Sequence, residues 1–183
     1  MNDTRSIRTP QEVGERIVAL MTVIDKIYSG NNPNFLQWVE QNAVLNYLSA
    51  DEKAFFETAT PDEHTKIQFS WRAEALTALL WAANFIQEMP PLNSEFDILS
   101  IEALDQMNAD PIAFIEQIQL RPHPVLETMA GELYNAHWQV RDAQLFDKEM
   151  PATLQPGIVY ERRYALSWLV GDGEDWDNVP TDT

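Results

Sequence analysis

Helix-starting signals crowd the first third of this chain. Thr9-Pro10-Gln11-Glu12, Ser49-Ala50-Asp51-Glu52 and Thr60-Pro61-Asp62-Glu63 each set a hydroxyl residue three positions ahead of a glutamate. In such a box the hydroxyl accepts from the helix's third backbone N–H while the glutamate reaches back to the N-cap, so each box fixes a helix start. Neither a hairpin turn signal nor a sustained apolar–polar alternation competes with these starts. The expected fold is all-α.

The remaining punctuation divides the chain into about seven to eight helices. After Thr9, the residues Val13, Ile17, Leu20, Met21, Ile24, Ile27 and Tyr28 recur at helical spacing, and Gly30 stops them. Asn32-Pro33 opens a second helix carrying Phe35, Trp38 and Val39. The box at Thr60 begins what should be the longest helix, about 61–88, ended by Met89-Pro90-Pro91. Shorter helices are expected at about 95–108 and from Pro111 after an Asp110 cap, then a long one at about 124–146. Asp147–Gly157, with Pro151 and Pro156, reads as a loop, and a last helix at about 158–170 ends at Gly171. The division is therefore one helical domain over 1–170 and an acidic tail over 171–183, expected to dock on the body through Trp176 and Val179.

A chain of 183 residues buries roughly 70% of its unfolded surface, enough for a full core. With 12 basic and 29 acidic side chains the net charge is −17, so nucleic-acid phosphates or an anionic membrane would be bound against the protein's own field. Simple solubility and a basic protein partner both suit that field. Cysteine is absent, which removes disulfides, thiolate nucleophiles and Cys-based metal sites. The six glycines form no Walker A loop, dinucleotide fingerprint or nucleophile elbow. His64, His123 and His137 lack ligand-like spacing, and Asp172–Asp177 lacks the glycine and glutamate of a calcium loop, so no metal or other cofactor is expected. The polar N-terminus has no signal-peptide core, and no apolar run approaches the ~18 residues of a membrane span. A soluble, cytoplasmic protein is expected.

Charged residues on apolar helix faces supply the candidate site. Over Phe69–Ile86 apolar side chains cover nearly the whole wheel, and Arg72 and Glu74 fall within it roughly 200° apart, so they need partners on different neighbouring helices. His137 lies in the stripe Leu126, Met129, Ala130, Leu133 and Val140, with Arg141 one turn on. Glu161 shares a face with Tyr164, Ala165 and Trp168. Arg72, Glu74, His137, Arg141 and Glu161 are therefore expected to point inward and meet, with Asp177 and Asp182 joining them if the tail docks. Such convergence either fixes helix register or forms a binding site, since these environments shift pKa values.

Several blocks resemble a known family. Trp71-Arg72-Ala73-Glu74-Ala75-Leu76 running into Ala78-Leu79-Leu80-Trp81-Ala82 is one, and His137-Trp138-Gln139-Val140-Arg141-Asp142-Ala143 a second. Glu161-Arg162-Arg163-Tyr164-Ala165-Leu166-Ser167-Trp168-Leu169 and the ending Asp175-Trp176-Asp177-Asn178-Val179-Pro180-Thr181-Asp182-Thr183 complete the set. Together they are similar to the bacterial family called domain of unknown function 4272, over most of the chain from Arg5-Ser6 onward. The likeness implies a compact bacterial helical domain whose signature residues coincide with the inward polar set. It implies no particular activity, cofactor or catalytic residue.

Three functions are compatible with these features. The first is a non-catalytic module that binds a basic protein, an inhibitor or immunity-type protein being one form. The second is an enzyme acting on an anionic small molecule, with Glu161 or His137 as general base and Arg72 and Arg141 as the clamp. The third is a structural subunit whose polar cluster only organises packing.

Overall fold

The helix nearest the C-terminus occupies the centre of the molecule. In the computed structural model, which describes residues 6–181, the chain runs α1 (Pro10–Ser29), α2 (Pro33–Gln41), α3 (Ala50–Glu57), α4 (Glu63–Ser70), α5 (Arg72–Ala82), α6 (Ala103–Ala109), α7 (Pro111–Glu116), α8 (His123–Leu145) and α9 (Pro156–Leu169). Short 3₁₀ turns lie at Val44–Tyr47, Ile98–Ser100 and Trp176–Asn178, and no strand occurs among the described residues. Eleven of the 14 residues of α9 are buried, including Glu161, Arg162 and Arg163. It packs between α5 and α8, and α5 in turn packs on α1. Those four helices form a row, α1–α5–α9–α8, while α3, α4 and α7 cover α1. The shared core is built from Ile17, Leu20, Leu76, Leu79, Leu80, Leu126, Leu166 and Leu169, all at most 0% exposed.

Helix starts follow the local signals closely. Thr9 and Ser49 are N-caps with reciprocal boxes to Glu12 and Glu52. The third start differs. Asp62, not Thr60, caps α4, its carboxylate accepting from Thr65 N at 2.7 Å. Asp binds the N3 N–H as readily as a hydroxyl does, and it stood two residues further along.

The long helix expected over 61–88 is two helices that meet at Trp71 and end at Ala82. The Ser70 hydroxyl donates to the Ile67 carbonyl at 2.7 Å, and Glu74 N–H bonds Trp71 O, an i→i−3 step. Both tighten and bend a helix locally. At the far end Asn84 adopts φ 65, and the N–H groups of Asn84 and Phe85 return to Trp81 O and Leu80 O. This is a Schellman stop with asparagine in the glycine position. Arg121 completes it: its Nε and backbone N–H donate to Trp81 O and Ala82 O, and Nη2 to Ile86 O and Gln87 O. A cation at a helix C-terminus is favoured by the helix dipole. The proline pair at 90–91 therefore lies eight residues beyond the real end.

Two smaller departures follow. The helix expected at about 95–108 is a 3₁₀ turn followed by α6, and Pro156 opens α9 as its first residue, with Gln155 as N-cap. Gly171 stops α9 at φ 92, and a Cβ there would lie 2.6 Å from Ser6 O, so only glycine fits.

Candidate functional site

Three consecutive residues of α9 carry charge into the interior, and at about 100° per residue they fan out towards three different places. Glu161 meets Arg72, Arg162 meets Glu74, and Arg163 meets His137. The partners of Arg72 and Glu74 are thus neighbours on a single helix, not residues of two helices as the wheel of α5 suggests. The length of the arginine side chain lets positions on opposite sides of α5 reach one strip of α9.

The middle pair is closed off. Arg162 is 0% exposed; its Nε and Nη2 lie 2.9 and 2.8 Å from Glu74 Oε2, and Nη1 donates to the carbonyls of Pro90 and Pro91. The other oxygen of Glu74 accepts from Phe96 N at 3.2 Å. This pair pins the segment between α5 and α6 to the bundle and offers nothing to a ligand.

The first pair faces a cleft. Arg72 Nη1 lies 2.9 Å from each oxygen of Glu161, and the guanidinium sits 5.7 Å from the Tyr164 ring. Burial pushes the Glu161 carboxyl up against the pull of Arg72. Burial lowers the Arg72 guanidinium, but Glu161 more than offsets it and leaves it raised. Beside the pair a cavity of about 640 Å³ opens between α3, α4 and α9.

The third contact lines a different cleft, of about 440 Å³. Arg163 Nη1 donates to His137 Nδ1 and to Thr181 O, and its guanidinium lies 5.0 Å from the Tyr134 ring. A nitrogen that accepts from a guanidinium cannot itself carry a proton, so the His137 hydrogen is on Nε2. Burial, then Arg163 and Arg141, hold the imidazole down at about 4. Arg141 is exposed and donates to Gln144 Oε1 at 3.2 Å. Its expected inward position fails because the buried stripe of α8 centres on Leu133 and Val140, and Arg141 lies roughly 90° from that line.

The expected single cluster is therefore three separate ones. Of the two tail residues, Asp177 Oδ2 accepts from Asp51 N at 3.1 Å, at the N-terminus of α3. Asp182 lies outside the described residues. Trp176 and Val179 are buried; the Tyr164 hydroxyl donates to Trp176 O, and Arg8 donates to Gly173 O and Glu174 O. Burial pushes the Tyr164 hydroxyl up to about 12, which keeps it a donor.

Sequence reasoning passed over Arg16 and Glu52, 5% and 1% exposed, joined at 2.5 Å between α1 and α3. Glu52 also accepts from Ser49 N in its capping box, and Arg16 stacks 4.8 Å from the Trp176 ring. Burial lowers the Arg16 guanidinium although Glu52 opposes it. The visible signal for the pair was Arg16, directly before the apolar run Ile17–Met21. A third cleft, of about 380 Å³, lies beside this pair and is lined by Glu12, Glu15, Glu174, Asp175 and Asp177 together with Arg8 and Arg16. Among the described residues no three His, Asp or Glu side chains come together as metal ligands, and no helix is long and apolar enough to cross a membrane.

These features define an all-α single domain with a charged central helix and polar clefts between its short covering helices. Residues 2–179 match the family described as Domain of unknown function (DUF4272), and the chain belongs to it. No curated protein and no solved structure matches the chain.

Proposed function

We propose that the chain is a cytoplasmic, non-catalytic protein-binding module whose acidic face takes a basic segment of another protein, an inhibitor or immunity-type role being one form. The observation that carries this reading is the cleft with five carboxylates against two arginines. Arg8 and Arg16 are committed to Glu12, Glu52 and backbone carbonyls, so neither is available to an incoming anion. The net charge of −17 adds long-range attraction for a basic partner and repels nucleic acid and anionic lipid. A pull-down from lysate at low and at moderate salt tests it, alongside the double variant Glu15→Lys, Glu174→Lys. A basic protein retained at low salt and lost by the variant supports the reading; retention of nothing under either condition removes it.

An enzyme acting on an anionic small molecule has its candidate groups divided between two clefts, the larger of them beside Arg72. There Glu161 already neutralises the guanidinium, and His137 and Arg141 line another cleft, so the two arginines do not clamp one site. Thermal unfolding across a panel of anionic metabolites decides this: a ligand at a hundred times its Kd adds roughly 2.7 kcal/mol, and unchanged stability throughout rejects catalysis on that class.

A further inference from the structure

The larger cleft has walls of a different chemistry from the acidic face. The kink between α4 and α5 turns Trp71 onto the first turn of α9, where Gly157 has no Cβ to block it; one built there would lie 2.9 Å from two indole carbons. Tyr160 lines the cleft one turn further along α9, and Phe55 and Phe69, stacked at 4.2 Å, line it from α3 and α4. The charged groups on these walls are Asp51, Glu161 and Arg72, which leaves one negative charge in excess. Arg72 is held by Glu161, whereas the exposed Asp51 carboxylate makes no hydrogen bond or ion pair with any described residue. Aromatic faces beside a spare carboxylate bind organic cations, because ring quadrupole and carboxylate attract the same charge and the alkyl part covers apolar wall.

We propose that the cleft between α3, α4 and α9 is a binding site for an organic cation, an alkylammonium or alkylguanidinium group seated against Trp71 and Tyr160 with its charge at Asp51. The cation comes either from a free amine or from a Lys or Arg side chain of a protein. The site does not depend on the acidic face lined by Glu15 and Glu174.

Titration calorimetry of the full chain with n-butylammonium and n-butylguanidinium tests the site, with pentanoate and pentan-1-ol as the anionic and neutral counterparts. Both cations should bind with a Kd of about 1 mM, as suits so few heavy atoms, and the two counterparts should not. Asp51 and Tyr160 are exposed enough to change without disturbing the core, so Asp51→Asn and Tyr160→Leu should each weaken cation binding at least about fivefold while unfolding at the wild-type temperature. Binding of pentanoate as tight as that of the amine, silence from all four probes, or affinity untouched by both variants would each overturn the proposal. A blocked tripeptide with central lysine, run beside its norleucine counterpart, separates the sources. A lysine peptide tighter than butylammonium points to a protein side chain, and a weaker one to a free amine; both retain the cation site. If butylammonium binds while no basic protein is retained, only the acidic-face reading falls.

Discussion

A guanidinium that never meets water depends on the protein for acceptors: Arg162 Nε donates to Glu74 and Nη1 to two proline carbonyls, while Nη2 keeps only its ion-pair contact with Glu74. Removing the cation alone leaves a carboxylate buried without its counter-charge, so Arg162→Met should cost about 3–5 kcal/mol in denaturant unfolding. Adding Glu74→Leu should recover part of that loss but not all, because Phe96 N–H and the carbonyls of Pro90 and Pro91 stay unsatisfied. A loss under about 1 kcal/mol for the single variant would contradict the buried pair. Titration adds a second residue-level expectation. The folded chain holds His137 at about 4 against 6.5, so it declines a proton that the unfolded chain accepts. The His137 contribution is therefore complete above pH 6.5 and is lost as pH drops towards 4, and His137→Gln should flatten that acid limb. Asp25 works in the opposite sense: burial raises it to about 6 from 3.8, so its contribution is present below 3.8 and lost as pH rises through 6. Asp25→Asn should raise stability at pH 7 by about 1 kcal/mol, a figure reduced for its partial exposure. The inward residues were legible one by one, since Arg72, Glu74, His137 and Glu161 all sit on apolar faces. Their grouping was not, because a helical wheel gives azimuth and not the neighbour reached by a long side chain. Arg162 and Arg163 escaped for the opposite reason: on a helix buried all round there is no polar face to mark them.

Caps act between adjacent residues, and so helix starts can be read locally while helix ends here depend on distant chain. Thr9, Ser49, Asn32 and Asp110 all cap the helices expected of them. The end of α5 is set by Asn84 in a left-handed conformation and by Arg121, 39 residues beyond Ala82 along the chain, donating to the last carbonyls. No proline or glycine near Ala82 announces it. The misplaced capping box is directly testable. Asp62→Ala should cost about 1 kcal/mol and Thr60→Ala only a few tenths, as measured by chemical denaturation; equal losses would restore the hydroxyl as the cap. The kink at Trp71 has its own test, because the indole lies where a Cβ at position 157 would be. Gly157→Ala must push the ring off the first turn of α9. It should lower stability by about 1–3 kcal/mol, the usual cost of overpacking, despite the gain that alanine brings inside a helix.

At the scale of the molecule the interior and the surface respond to salt in different ways. Arg16–Glu52 and Arg162–Glu74 are 5%/2% and 0%/4% exposed, and counter-ions do not reach them. The chain carries an excess of 29 acids over 12 bases, and five of those acids line the cleft where the tail crosses α1 and the start of α3. With a screening length near ~10 Å at 0.1 M salt, repulsion among those carboxylates weakens well before any buried pair is disturbed. Stability should therefore rise by about 1 kcal/mol between low and moderate salt, seen as a higher denaturant midpoint with an unchanged slope. Retention of a basic partner should fall over the same interval, since the charges that repel one another are the ones that attract it. The two slopes have opposite signs only if the acidic face is an unpaired surface. Were the midpoint to drop with added salt, the surface ion pairs would outweigh the repulsion, and the field invoked to steer a basic partner would already be spent within the chain.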